Sequence, residues 1–201
     1  MILKFSEVLE IKNGKNQKKV EKIGGKYPIY GSGGIIGWTD SYLCEGNNVI
    51  IGRKGNINKP LFVDKPFWNV DTAFGLISKE GILNSKYLYY FCLNYNFEKL
   101  NTTVTIPSLT KNNLLNIKIN VPDLKKQEKI VKILDNIKEI LLKKQNQISS
   151  LNFLSKCLFF EMFGDLESNE KKWTKKTFGD ICKVSQGLQI PIFRNVWKFN
   201  N

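Results

Sequence analysis

The sequence predicts an α+β domain followed by a long coiled-coil helix, and three observations carry that prediction. Residues 1–122 alternate short β-type runs with glycine-bearing turns. Residues 123–163 contain neither glycine nor proline and place apolar residues at helical spacing. Ten residues near the start then recur near the end, at an offset of 173.

Within the first segment, Asn48-Val49-Ile50-Ile51-Gly52, Pro60-Leu61-Phe62-Val63 and Thr72-Ala73-Phe74-Gly75-Leu76-Ile77 each read as a strand bounded by Gly, Asn, Asp or Pro. Between Asn84 and Leu100 the period changes, with Tyr87, Leu88, Phe91, Cys92 and Tyr95 spaced by threes and fours. This predicts a helix capped by Ser85. A second, short helix is expected after Pro107, where Ser108 precedes Leu109, Leu114 and Leu115. Ile117-Lys118-Ile119-Asn120-Val121 then returns to strand alternation. Residues 1–122 are therefore expected to form one compact domain.

Pro122 marks a change of composition, and Asp123 can cap a helix that starts directly after it. Alternating steps of four and three from Ile130 reach Ile130, Leu134, Ile137, Leu141, Lys144, Ile148, Leu151, Ser155, Leu158 and Met162, of which eight in ten are apolar. A helix over 123–163 would be about 60 Å long, longer than the domain beside it, so its apolar seam needs a partner helix. The alternative is a helix broken in two that folds back on its own domain, but no Gly or Pro supplies a hinge. Past Gly164, Phe5-Ser6-Glu7-Val8-Leu9-Glu10-Ile11-Lys12-Asn13-Gly14 lines up with Phe178-Gly179-Asp180-Ile181-Cys182-Lys183-Val184-Ser185-Gln186-Gly187. Residues 164–201 thus read as the opening of a second repeat.

Composition narrows the chemistry. Lys and Arg total 31 against 18 acidic residues, a net charge of +13 that points to an anionic partner. Histidine is absent, which removes Ser-His-Asp and Cys-His catalysis and every His-ligated zinc arrangement. Cys44, Cys92, Cys157 and Cys182 form no Cys-x-x-Cys pair and read as reduced, mostly buried thiols of a cytoplasmic protein. Residues 1–10 lack the continuous apolar stretch of a signal peptide, and no run of 18 apolar residues is present to span a bilayer.

Three segments could face a ligand. Tyr27-Pro28-Ile29-Tyr30-Gly31-Ser32-Gly33-Gly34-Ile35-Ile36-Gly37-Trp38 is glycine-dense, but from Gly31 the sixth position is Ile36, so it is not a dinucleotide fingerprint. It reads either as a tight turn between strands or as a loop whose bare backbone approaches a ligand. Ile51-Gly52-Arg53-Lys54-Gly55-Asn56 puts two cations and an Asn in one turn. Arg can grip guanine and Asn adenine bidentately, whereas Lys suits phosphate. Thr102 to Lys111 offers hydroxyls and a Lys to phosphates or base edges, the bland reading being β-propensity and N-capping. Lys26, Ser32, Arg53, Lys54, Asn56, Thr103, Thr105 and Lys111 are the candidate DNA contacts. Ile130, Leu134, Ile137, Leu141, Ile148, Leu151 and Leu158 are the candidate oligomerisation seam. No nuclease carboxylate cluster or methyltransferase Asn/Asp-Pro-Pro-aromatic loop is found; Glu128, Asp135 and Glu139 read as solvated helix positions.

The order of Gly25-Lys26-Tyr27-Pro28-Ile29-Tyr30-Gly31-Ser32-Gly33-Gly34, Val49-Ile50-Ile51-Gly52-Arg53-Lys54-Gly55, Ile106-Pro107-Ser108-Leu109 and Ile119-Asn120-Val121-Pro122-Asp123-Leu124-Lys125-Lys126-Gln127-Glu128-Lys129-Ile130-Val131 resembles the specificity (S) subunit of type I restriction-modification enzymes. The resemblance covers nearly the whole chain. It implies that residues 1–122 are a target recognition domain reading one half of a split site on double-stranded DNA, and that 123–163 is the spacer. It also implies a non-catalytic chain that binds no cofactor. Its modification subunits would methylate adenine with S-adenosylmethionine, and its restriction subunits would use ATP and Mg.

A usual member carries two recognition domains and two spacers, whereas only 24 residues remain here from the restart at Phe178. Two expectations stand side by side: a truncated subunit, or a half subunit whose copies pair their spacers over an interrupted palindrome. The rivals from other classes are a stand-alone endonuclease or methyltransferase with this recognition domain, and an assembly module that only binds partner subunits.

Overall fold

The structure is a computed structural model and describes residues 1–101, 106–183, 185 and 187. Two compact units are present, Met1–Lys143 and Lys144–Asn201.

In the first unit, β1 (Ile2–Lys4) pairs antiparallel with β9 (Lys118–Asn120), which joins the two ends of the domain sequence. The one-turn helix α1 (Phe5–Val8) comes directly after β1; Phe5 donates its N–H to the Ile117 carbonyl at 2.9 Å. A four-stranded antiparallel sheet runs in the order β2 (Leu9–Asn13), β8 (Ala73–Ser78), β5 (Asn48–Gly52), β6 (Leu61–Val63). A second sheet places β3 (Tyr27–Gly31) between antiparallel β4 (Gly34–Thr39) and parallel β7 (Trp68–Asn69).

Strand alternation partitions the core. On β5, Val49 and Ile51 pair with Leu76 and Phe74, and all four join Phe5, Val8, Leu88, Cys92, Leu109, Leu114 and Ile119 in the main core. Ile50 points the other way, into a smaller cluster with Cys44, Val63, Phe67 and Ala73. Opposite Ile50 stands Gly75, where an added Cβ would come within 2.8 Å of the Cys44 sulfur. β5 is buried along its whole length, which is why it reads as an unbroken apolar run.

The predicted helix over 84–100 divides in two. α2 spans Ser85–Asn94, and a 3₁₀ turn covers Phe97–Leu100. The cap of α2 is Asn84, one residue earlier than expected: its side chain accepts the N–H groups of Lys86 and Tyr87. The break arises because Asn96 caps the 3₁₀ turn and Asn58 accepts the Phe97 N–H, taking over backbone groups that a continued helix would need. α3 (Lys111–Leu115) is capped by Thr110, and Ser108 before it is bridged to Lys54.

α4 runs without interruption from Leu124 to Phe163, with Asp123 accepting the Lys126 N–H at 2.9 Å. The first unit extends into this helix, past Pro122, because Gln127 and Val131 are buried against the domain. In the second unit the helix ends at Gly164, whose φ of +74° and 2.8 Å bond to the Phe160 carbonyl make a left-handed stop. Lys171 and the Trp173 indole donate to the last carbonyls, Lys171 to Glu161 and Met162, Trp173 to Phe163. α5 (Phe178–Ile181) is a one-turn helix later in this unit.

The sequence repeat is matched by local structure. In α1 the Lys4 N–H donates to the Glu7 carboxylate at 2.6 Å; in α5 the Thr177 N–H donates to the Asp180 carboxylate at 2.8 Å, with the offset of 173 preserved. Phe5 and Val8 are fully buried, whereas Phe178 and Ile181 are exposed. Of the cysteines, only Cys44 and Cys92 are buried, and Cys157 and Cys182 are exposed, so the expectation of mostly buried thiols holds for half of them. Burial pushes the Cys44 thiol up to about 11. No helix among the described residues is long and apolar enough to cross a membrane.

Candidate nucleic-acid interface

The basic turn between β5 and β6 is tied to two other loops by backbone hydrogen bonds. Arg53 and Lys54 donate their N–H groups to the Thr72 carbonyl at 2.8 and 3.3 Å. The Arg53 carbonyl accepts the Leu109 N–H at 2.9 Å, and Gly55 donates to the Pro107 carbonyl at 3.0 Å. Ser108, between those two, bridges Lys54 and donates its own N–H to the Asn101 side chain.

The glycine-dense hairpin closes a further side by packing. Its tip, Ser32-Gly33 between β3 and β4, lies so close to the basic turn that a Cβ on Gly52 would sit 3.0 Å from the Ser32 Cβ and 2.4 Å from the Asn56 carbonyl oxygen. A Cβ on Gly33 would touch the Asn56 amide nitrogen at 3.4 Å. Gly55 has φ of +79°, which only glycine adopts without strain. Buried Ile57 anchors the far end of the turn in the main core.

Ser32, Arg53, Lys54 and Asn56 are therefore brought together, the last three exposed and Ser32 half-buried. Arg53 is the most constrained cation. Its guanidinium donates to the Asp71 carbonyl at 3.3 Å and lies 5.9 Å from the Phe74 ring. Lys111 opens α3 two residues after Leu109, exposed and adjoining the same loop cluster. Thr103 and Thr105 lie outside the described residues. Neither 52–56 nor 106–111 contains an acidic residue. The cluster can thus offer cations to phosphates and an Arg, an Asn and a Ser to base edges.

Lys26 stands apart, before the other end of β3, about 17 Å of strand from the hairpin tip. Its backbone N–H donates to Asp40, which also pairs with Lys22 at 2.6 Å and is held below the usual carboxylate range by that bond. Its ammonium sits over the Tyr27 ring at the edge of a cleft of about 450 Å³ lined by Tyr30, Ile35, Trp38 and Lys65. A bulge between Ile29 and Tyr30 in the β3–β4 pairing puts Ile35 and Trp38, three residues apart, on that one face.

The seam positions separate into two groups. Ile130 and Leu134 are half-buried and line a cleft with Tyr87, Tyr90, Phe91 and Tyr95 of the chain's own domain. Ile137, Leu141, Ile148, Leu151 and Leu158 are exposed. Asp135 is only partly solvated: it accepts the Tyr90 hydroxyl at 2.6 Å and the Lys86 ammonium at 2.7 Å. Sequence reasoning also passed over Gln127, the only fully buried polar residue of α4 among those described. A polar residue at an i, i+4 spacing from Val131 was the one available signal.

The family model described as "Type I restriction modification DNA specificity domain" matches residues 1–151. A type I restriction enzyme specificity subunit of Haemophilus influenzae is 33% identical over 138 residues, covering 65% of this chain and 35% of that protein. The MjaIX specificity subunit of Methanocaldococcus jannaschii is 28% identical over 160 residues, again covering 35% of its length. Among solved structures, the type I S subunit of M. genitalium superposes with a TM-score of 0.62 at 20% identity, over 86% of this chain and 48% of that one. The HsdS subunit of Thermoanaerobacter tengcongensis gives 0.61 at 19% identity, over 82% and 44%. The chain thus spans about a third of the curated relatives' length and under half of these solved chains, and it shares their fold. With three quarters of its length inside the matched region, this chain belongs to the type I restriction-modification DNA specificity domain family.

Proposed function

We propose that the chain is a non-catalytic, cytoplasmic DNA-recognition module of a type I restriction-modification system, reading one half of a bipartite site on double-stranded DNA. The observation that carries this reading is the packing of the Ser32-Gly33 tip against the turn that holds Arg53, Lys54 and Asn56, which the 106–111 loop closes without adding an acidic residue. Arg53 and Asn56 read base edges; Lys54 and Lys111 hold phosphates. Lys26 serves as an outlying phosphate contact, and the hydroxyls of Thr103 and Thr105 suit further phosphate or base-edge hydrogen bonds on their chemistry alone.

The chain hands the recognised site to modification and restriction subunits. S-adenosylmethionine, ATP and Mg belong to those partners. Two copies pair through the exposed seam of Ile137, Leu141, Ile148, Leu151 and Leu158, while Ile130 and Leu134 pack toward their own domain. The decisive experiment is selection of bound sequences from a randomised duplex pool, followed by titration of the selected site with Arg53→Ala and Asn56→Ala. Enrichment of a short motif, with each variant losing preference at one position, supports the reading. No enrichment above the starting pool, with the chain alone or with its modification subunit, overturns it.

A further inference from the structure

The first turns of α4 are fastened to the recognition domain by directional polar contacts, in addition to apolar packing. The Gln127 side chain is fully buried and makes three hydrogen bonds. Its oxygen accepts the Asn84 N–H at 2.8 Å, and its nitrogen donates to the carbonyls of Ile82 at 2.9 Å and Pro122 at 2.8 Å. Because Asn84 is itself the cap of α2, Gln127 joins the start of one helix to the start of the other.

Eight residues on, about 12 Å along the axis, the same face presents Asp135 to Tyr90 and Lys86 of α2. Lys138 comes next, its ammonium 5.2 Å from the Tyr89 ring. Val131 is buried between the two polar points, and Ile130 and Leu134 flank them. From Asn136 to Phe163 every residue of the helix is exposed. An apolar seam alone tolerates sliding and rotation. Two sets of directional bonds about 12 Å apart do not, since turning or shifting the helix strands a buried amide and a carboxylate together.

We propose that Gln127 and Asp135 are positioning residues that set the rotation and direction of the spacer helix on its recognition domain, and so the number of base pairs between the half-sites that the assembled enzyme accepts. This rests on the reading of the chain as a DNA-recognition module with a helical spacer. Neither residue touches DNA in this assignment; they act through the helix.

The test begins on the chain alone. With Cys157 and Cys182 changed to Ser, nitroxides are placed at Lys59→Cys and Lys143→Cys, both exposed and both in the first unit, and their separation is measured by pulsed electron resonance. The parent should give one narrow distance distribution. Gln127→Ala combined with Asp135→Ala should broaden it about twofold or more, as additional helix positions become populated. Tyr90→Phe with Lys86→Met, which leaves α4 unaltered, should broaden it in the same direction should the double Ala variant fail to fold. An unchanged width in the folded variants overturns the latch.

The second readout is the pattern of modified sites in cells that also make the modification subunit. The parent should yield one gap length, and the latch variants the same half-site bases with gaps differing by about one base pair. An unaltered single gap overturns the specificity role. A parent that yields no bipartite pattern overturns the DNA-recognition reading and the gap assignment with it, while the distance measurement still decides the latch.

Discussion

The carbonyl of Arg53 accepts the N–H of Leu109 at 2.9 Å, so a basic turn between two early strands is held by a loop from the far end of the domain. The carbonyl of Thr72 on one side and the Ser32-Gly33 tip on the other complete the enclosure. A flexible lysine-rich loop would supply charge alone. Here the backbone bonds fix where the side chains start, which is the condition for reading base edges.

Gly52→Ala tests this packing. The added methyl would meet a backbone carbonyl at 2.4 Å, and backbone cannot rotate away as a side chain can. A loss of about 1–3 kcal/mol in urea unfolding is expected, together with weakened sequence preference. Gly24→Ala, in open space but at φ of +73°, should show only the smaller backbone strain, with preference intact.

Arg53→Ala and Lys54→Ala should separate base reading from phosphate binding. Arg53→Ala is expected to cost about 1–3 kcal/mol on the selected site and to relax one position of it. Lys54→Ala should weaken all duplexes alike and lower the slope of log affinity against log salt by about 0.9. Titrations at several salt concentrations check both.

The Asp135 contacts carry a pH signature. Burial raises its carboxyl, but the bonds from Lys86 and Tyr90 and the charges of Lys86 and Lys138 outweigh that and hold it below the usual range. A depressed value favours the ionised form in the folded state. The stabilisation is therefore complete above the unfolded value of about 3.9 and is lost as pH falls through it toward the lower folded value. The pair is more than a third exposed, so its contribution is about 1 kcal/mol or less. Unfolding of the parent and Asp135→Asn should differ by that amount at neutral pH and begin to converge as pH falls below about 4.

The two copies of the repeat should respond unequally to the same substitution. Phe5→Ala empties a fully buried site and is expected to cost about 3–5 kcal/mol in denaturant unfolding. Phe178→Ala, at an exposed position of the matching turn, should stay within about 0.5 kcal/mol.

The strands at 48–52, 61–63 and 73–78 were legible because each is a short apolar run between turn formers. α4 was legible because forty residues without Gly or Pro leave a helix no rival. The division of 84–100 was not, since the side chain that takes the Phe97 N–H belongs to Asn58, far away in the chain. Ser32, Arg53, Lys54 and Asn56 could each be chosen on chemistry alone. That they share one place results from backbone bonds to two other loops and from packing against the hairpin tip, which no local pattern encodes.

By itself, the sequence determined the α+β domain, the long helix, the restart at Phe178 and the excess of positive charge, because periodicity, caps and composition are properties of neighbouring residues. Only the tertiary structure decided which seam residues face the domain, where Lys26 lies, and that Gln127 and Asp135 fasten the spacer. The physical reason is that a hydrogen bond or a burial depends on what comes to lie opposite a side chain. For Gln127 those partners are Ile82 and Asn84, brought there by the fold.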